Sequence, residues 1–174
     1  MGEGVGSAGF AAFAGSRHGA LYRYAYLLVG ERGLAEDLVQ EALIKTYVRW
    51  GRLRDPSAAE AYTRKAMTST AIGWWRRKAW RAERPRDDVP DRPVDGDDAA
   101  VRVWLWGELR GLPPRQRAAL VLRYYEDLTE VQTAEVLGCS VGTVKSQVSA
   151  ALAKLRARLG GDAVLIMEKA GMTE

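Results

Sequence analysis

The chain has 174 residues, enough for one ordinary domain or two small ones, and carries 26 basic against 22 acidic residues for a net charge of +4. One histidine (His18) and one cysteine (Cys139) exclude an intramolecular disulfide, the usual zinc sites and histidine-based nucleophilic triads, so the inventory predicts neither a metal, a cofactor nor an enzyme. No apolar run approaches the ~20 residues that span a bilayer and no signal peptide stands out, which predicts a cytoplasmic protein with no membrane association.

The glycines of GEGVGSAG read as a flexible leader, without the strand or the Lys-Ser/Thr ending of a phosphate loop. Over 10–29, Phe10, Phe13, Ala20, Leu21, Tyr24 and Leu28 fall near one helical face, and Gly30 stops the helix. In the second helix Ala35, Leu38, Val39, Ala42, Leu43, Thr46, Tyr47 and Trp50 recur as a broad buried stripe, with Glu36, Asp37, Gln40, Glu41 and Lys45 opposite. GRLRDP is a turn, and Pro56 or Ser57 opens a third helix that runs to about Arg84. Its second half sets Trp74, Trp75 and Trp80 among Arg76, Arg77, Lys78, Arg81 and Arg84. Such aromatics can stack on unpaired bases while the cations meet phosphates, or they can simply be core, and the spacing leaves both open.

Residues 85–98 hold three prolines and six aspartates and cannot bury enough apolar surface to fold, which makes them a linker. Residues 1–84 carry 14 basic against 8 acidic side chains, so a basic block precedes this acidic spacer and a second, weaker one follows, a distribution suited to a polyanion. A helix near Ala99 to Leu109 then packs Val101, Trp104, Leu105 and Leu109 inward and ends at Gly111, and Pro113 or Pro114 opens PPRQRAALVLRYYE.

The last two helices, Leu128 to Leu159, carry the sharpest signal. Thr129 and Gln132 form a capping box, Gly138 supplies the left-handed residue of a tight turn, and Ser140 caps the next helix. Val141, Val144, Val148, Ala151, Leu152, Leu155 and Leu159 make one apolar stripe there. Small Ala134, turn Gly138 and branched Val144 suit a helix-turn-helix whose second helix enters a major groove. Gly142, Thr143, Ser146 and Ala150 then face outward with Gln147 beside them. Lys145 flanks the stripe and can reach a phosphate, and Lys154, Arg156 and Arg158 extend the charge along the helix. Cys139 beside the turn is a small buried hydrophobe or a redox-sensitive thiol. The fold class is all-α: three helices, an acidic linker and four helices.

DLVQEAL in the second helix and LPPRQRAALVLRYYEDLTEVQTAEVLGCSVGTVKSQVSAALAKLR near the end resemble two signatures of the extracytoplasmic-function group of bacterial RNA polymerase sigma factors. The resemblance spans about residues 10–159 and implies a two-domain chain. Residues 10–84 would be sigma region 2, 85–98 the linker, 99–159 sigma region 4, and 160–174 a tail. It further implies that Asp37, Gln40 and Glu41 grip the β′ clamp helices of core polymerase. Arg52, Arg54, Ser69, Trp74, Arg76 and Arg77 would serve the minus-10 element, and Thr143, Lys145, Ser146, Gln147 and Lys154 the minus-35 element. The implied partners are core RNA polymerase through its β′ and β subunits, promoter DNA, and an anti-sigma protein whose identity the sequence does not give. In this group asparagine is common where Ser69 stands and arginine where Ala150 stands, so promoter sequence preference does not follow. The acidic linker could occupy a cationic channel that nucleic acid later enters. The competing reading is a stand-alone helix-turn-helix regulator with an N-terminal helical sensor, although no sustained heptad seam for a dimer is present.

Overall fold

The computed structural model describes residues 3–53, 55–81 and 107–160. Among the described residues every regular element is helical, and they fall into two compact units, Met1–Arg81 and Ala82–Glu174. None of these helices is long and apolar enough to cross a membrane. The aspartate-rich stretch 85–98, the greater part of the helix expected near Ala99, Arg54 and the tail after Gly160 lie outside the described residues.

The first unit packs α1 (Glu3–Val29), α2 (Arg32–Arg49) and α3 (Pro56–Arg81) against one another. Leu21, Tyr24, Ala25 and Leu28 of α1, Leu38, Val39 and Ala42 of α2, and Met67 and Ala71 of α3 are buried, so the stripes read from periodicity do form the core. Gly30 ends α1 in the left-handed region at φ 73°, its amide donating to the Tyr26 carbonyl. A single 3-10 turn, Trp50–Arg52, leads from α2 towards α3. Asp55 caps α3: its carboxylate accepts from the Ser57 hydroxyl (2.7 Å) and the Ala58 amide (2.8 Å), which hold its pKa below the usual carboxylate value.

Two expectations change here. The glycine-rich start is helical from Glu3 onward, because it has something to lean on: Gly9 lies against the Trp50 indole, and the Phe10 ring meets Tyr47 and Trp50 edge-on at 5.0 and 5.4 Å. Tertiary contact of this kind outweighs the poor helix propensity of glycine. The stripe of α2 is also narrower than its periodicity suggests. Tyr47 is 53% exposed despite its contact with Phe10, and Leu43 and Trp50 are half-buried.

Buried hydroxyls pair between helices. Tyr24 Oη lies 2.6 Å from Thr68 Oγ1, which donates to the Arg64 carbonyl, and Thr46 Oγ1 lies 2.8 Å from Thr63 Oγ1. Of the latter two protons one serves the pair, and the other a carbonyl one turn back, that of Ala42 or Ala59.

In the second unit a 3-10 turn (Leu109–Gly111) precedes α4 (Pro114–Leu120), which Pro114 opens. The helix then widens into a π turn over Val121–Tyr125, closed by the Glu126 amide on the Val121 carbonyl five residues back (3.0 Å). Helices α5 (Glu130–Leu137) and α6 (Val141–Leu159) follow. Leu109, Leu120, Leu122, Val144, Ala151 and Leu155 form the core between α4, the π turn and α6. Arg117 is buried as well; burial, then the neighbouring charge of Arg110, lowers its pKa to about 10.

Arg158, expected to add positive charge at the end of α6, does stay exposed there, but it also folds back on the turn before α4. Its Nη1 donates to the Glu108 carbonyl at 3.0 Å and its Nη2 to the Gly111 carbonyl at 2.6 Å. A Cβ on Gly111 would collide with that guanidinium. Arg158→Ala should therefore cost about 1.5 kcal/mol, the low end for charged hydrogen bonds because the side chain is partly exposed, and Gly111→Ala up to about as much as it pushes the guanidinium aside. In urea unfolding the double variant should lose little more than the larger single loss; full additivity would show that the two residues act separately.

Candidate functional site

The helix-turn-helix assembles from local rules. Thr129 Oγ1 accepts from the Gln132 amide (3.2 Å) while Gln132 Oε1 accepts from the Thr129 amide (2.8 Å), so α5 starts on a complete capping box. Gly138 sits at φ 63°, its amide and that of Cys139 both reaching the Ala134 carbonyl. Ser140 Oγ accepts from the Thr143 amide (3.1 Å) and starts α6. Ala134 and Val144 are buried where α5 and α6 pack, as their sizes predicted, and Cys139 is half-buried with a free thiol.

This turn presents the outer face of α6. Ser146 and Lys145 are exposed, Thr143, Gln147 and Ala150 half-buried, and Lys154 exposed one turn and more further on. Their hydrogen bonding separates them. The Thr143 hydroxyl lies 2.9 Å from Ser140 Oγ, within the cap, and the Ser146 hydroxyl donates to the Thr143 carbonyl at 2.9 Å, so Ser146 can only accept from an incoming group. Gln147 makes no side-chain hydrogen bond among the described residues and keeps donor and acceptor available. Lys145 Nζ lies 3.5 Å from Glu130 Oε2, a contact the sequence reading did not anticipate.

On the first unit, Asp37 and Gln40 are exposed on α2 and Glu41 is half-buried. Glu41 Oε1 accepts from Lys45 Nζ at 2.9 Å, and the same ammonium donates to Thr70 Oγ1 of α3 at 2.7 Å. Steps of three and four carry this face on from Gln40 and Glu41 to Ile44 and Val48, which are 65% and 77% exposed. Periodicity does not single out these open apolar side chains on adjacent turns, since both lie off the buried stripe.

The cations and aromatics assigned to unpaired DNA are spread more widely. Ser69 and Arg76, seven residues apart on α3, are both exposed on one face, Arg77 is exposed beside them, and Arg52 stands in the separate 3-10 turn. Trp74 and Trp75 are half-buried, and Trp80 lies in the last turn of α3.

Comparison with known proteins places both units. The family described as Sigma-70 region 2 matches residues 14–81, and that described as Sigma-70, region 4 matches residues 102–155. A Streptomyces avermitilis protein called RNA polymerase sigma-E factor is 41% identical over 152 residues, 86% of this chain and 84% of its own. Its Streptomyces coelicolor namesake is 40% identical over 152 residues, 86% of this chain and 85% of its own. A Mycobacterium tuberculosis protein called ECF RNA polymerase sigma factor SigM is 30% identical over 145 residues, 82% of this chain and 73% of its own. Two helical units in this order, matched along most of the length of such relatives, mean that the chain belongs to the extracytoplasmic-function group of bacterial RNA polymerase sigma factors.

Proposed function

We propose that this protein binds core RNA polymerase in the cytoplasm and directs it to start transcription at specific promoters, with no catalytic step of its own. The observation that carries the reading is the pairing, in one chain of this family, of a complete helix-turn-helix with a three-helix unit whose α2 exposes Asp37, Gln40, Ile44 and Val48 side by side. Initiation needs both, because a duplex must be held by its grooves upstream and opened downstream, where unpaired bases need stacking surfaces and cations.

In this reading Asp37, Gln40 and Glu41 take the β′ clamp helices, and Ile44 and Val48 extend that contact with apolar area, while the β subunit receives the second unit. Arg52, Arg54, Ser69, Trp74, Arg76 and Arg77 hold the melted minus-10 element. Thr143, Ser146 and Gln147 read the minus-35 element, and Lys145 and Lys154 bind its phosphates. Regions 10–84 and 99–159 are the working domains, 85–98 the spacer, and an anti-sigma protein restrains the whole. In vitro transcription with purified core polymerase tests the central claim. Adding the protein should produce RNA from specific start points. Tight operator binding without polymerase, together with no such RNA, would replace this reading with that of a stand-alone regulator.

A further inference from the structure

The ion pair between Glu130 and Lys145 has no evident structural task. It bridges the first residue of α5 and the second turn of α6, yet the turn between them is already fixed by the capping box, the Ser140 cap and the Gly138 geometry. Both side chains are open, Lys145 at 63% and Glu130 at 38%, and a surface pair of that kind adds at most about 1 kcal/mol to stability. What it does change is the charge seen by an approaching duplex. Lys145 stands on the face of α6 that the proposed function turns towards DNA, and its ammonium already has a carboxylate beside it. A phosphate arriving there must displace that carboxylate or accept a negative charge within a few ångströms of its own.

We propose that Glu130 is an internal competitor for backbone phosphate, a positioning residue that acts through Lys145 to set how tightly, and with what salt dependence, the helix-turn-helix holds promoter DNA. The inference rests on the function proposed above. By contrast, Lys154 and Arg156 on the same helix are exposed without a carboxylate partner among the described residues, so they offer full charges where Lys145 offers a partly neutralised one. A cation held by an internal anion has fewer condensed counterions to displace from DNA, which lowers both the affinity and the slope of log K against log salt.

The test uses the full chain bound to core polymerase, titrated with a promoter duplex over a range of potassium chloride concentrations. Glu130→Gln should tighten binding about two- to fivefold at low salt, the equivalent of a freed surface ion pair. It should also steepen the salt slope by a fraction of one phosphate contact. Lys145→Gln should weaken binding, and adding Glu130→Gln to it should then change nothing. Glu130→Ala, which keeps helix propensity at that position, should reproduce the gain and covers the case in which the glutamine variant folds poorly. Unchanged or weaker binding in both Glu130 variants would overturn the inference. So would an equal gain in the Lys145→Gln background, because the carboxylate would then act through the general field and not through that ammonium. Failure of the unmodified protein to direct transcription would instead strike at the proposed function.

Discussion

Asp37→Lys combined with Gln40→Ala should lower the affinity for core polymerase at least tenfold and leave the helical content unchanged. Both side chains are exposed on α2, away from Leu38, Val39 and Ala42, so neither contributes to the core of the three-helix unit. A tenfold loss corresponds to about 1.4 kcal/mol, modest for a charge reversal at a contact with a partner helix. Ile44→Asp should have an effect of similar size, because a 65% exposed isoleucine gains its stabilisation only when a partner covers it. Glu41 is a poorer probe. Its carboxylate binds Lys45, which also holds Thr70, so changing it disturbs the contact between α2 and α3 as well as any interface. Fluorescence anisotropy of labelled protein with core enzyme reads the affinity, and circular dichroism reads the fold. Wild-type affinity in the double variant would remove α2 from the interface, and lost helicity would make these residues structural.

The second large effect concerns promoter choice. Gln147→Ala should erase preference at one upstream base pair, a change of about 1–3 kcal/mol or roughly 5- to 150-fold between the favoured base and the others. Of Thr143, Ser146 and Gln147, only Gln147 makes no side-chain hydrogen bond among the described residues, whereas Ser146 donates to the Thr143 carbonyl and Thr143 shares a bond with Ser140 Oγ. Ser146→Ala and Thr143→Ala should therefore each shift preference less, the backbone cap of α6 being kept in both. Lys154→Ala should instead weaken every promoter about equally and reduce the salt slope by about one contact. Selection from a randomised upstream library separates these outcomes. Recovery of the unaltered motif by the Gln147 variant would mean that readout comes from DNA shape.

The helix-turn-helix was legible residue by residue because its determinants are local: Thr129 and Gln132, Gly138, Ser140 and the valines all act within a few positions of one another. The buried faces of α1 and α2 were legible for a similar reason, as helical period alone fixes which side chains align. What periodicity could not show depends on partners distant in the chain. By spacing alone Tyr47 would be buried, yet the Phe10 ring it meets on α1 covers only part of it. Arg158 looked like one more surface cation until Glu108 and Gly111, about 50 residues earlier, supplied carbonyls for it. Lys145 looked free because nothing in the sequence brings Glu130 near it. Ile44 and Val48 lie off the buried stripe, and helical period alone assigns no contact to an apolar side chain outside it. Of the residues proposed for the site, Asp37, Gln40, Lys145 and Ser146 are exposed as helical period expects and Glu41, Thr143 and Gln147 half-buried, while the polar contacts that distinguish one from another depend on the fold.

The hydroxyl pairs of the first unit carry a consequence for how many ways its helices can associate. Leucines and alanines along α1, α2 and α3 would tolerate a slide of one helix past another by a turn, since apolar surfaces meet almost as well in the shifted arrangement. Tyr24 with Thr68 and Thr46 with Thr63 do not tolerate it, because their buried oxygens are matched at 2.6 and 2.8 Å and any axial offset separates them. Replacing Thr46 and Thr63 together by valine should accordingly be nearly neutral for stability while blurring the alignment of α2 on α3. These few polar atoms act as keys that admit one alignment, and they thereby fix how far along the bundle the face on α2 stands from Ser69 and Arg76 on α3.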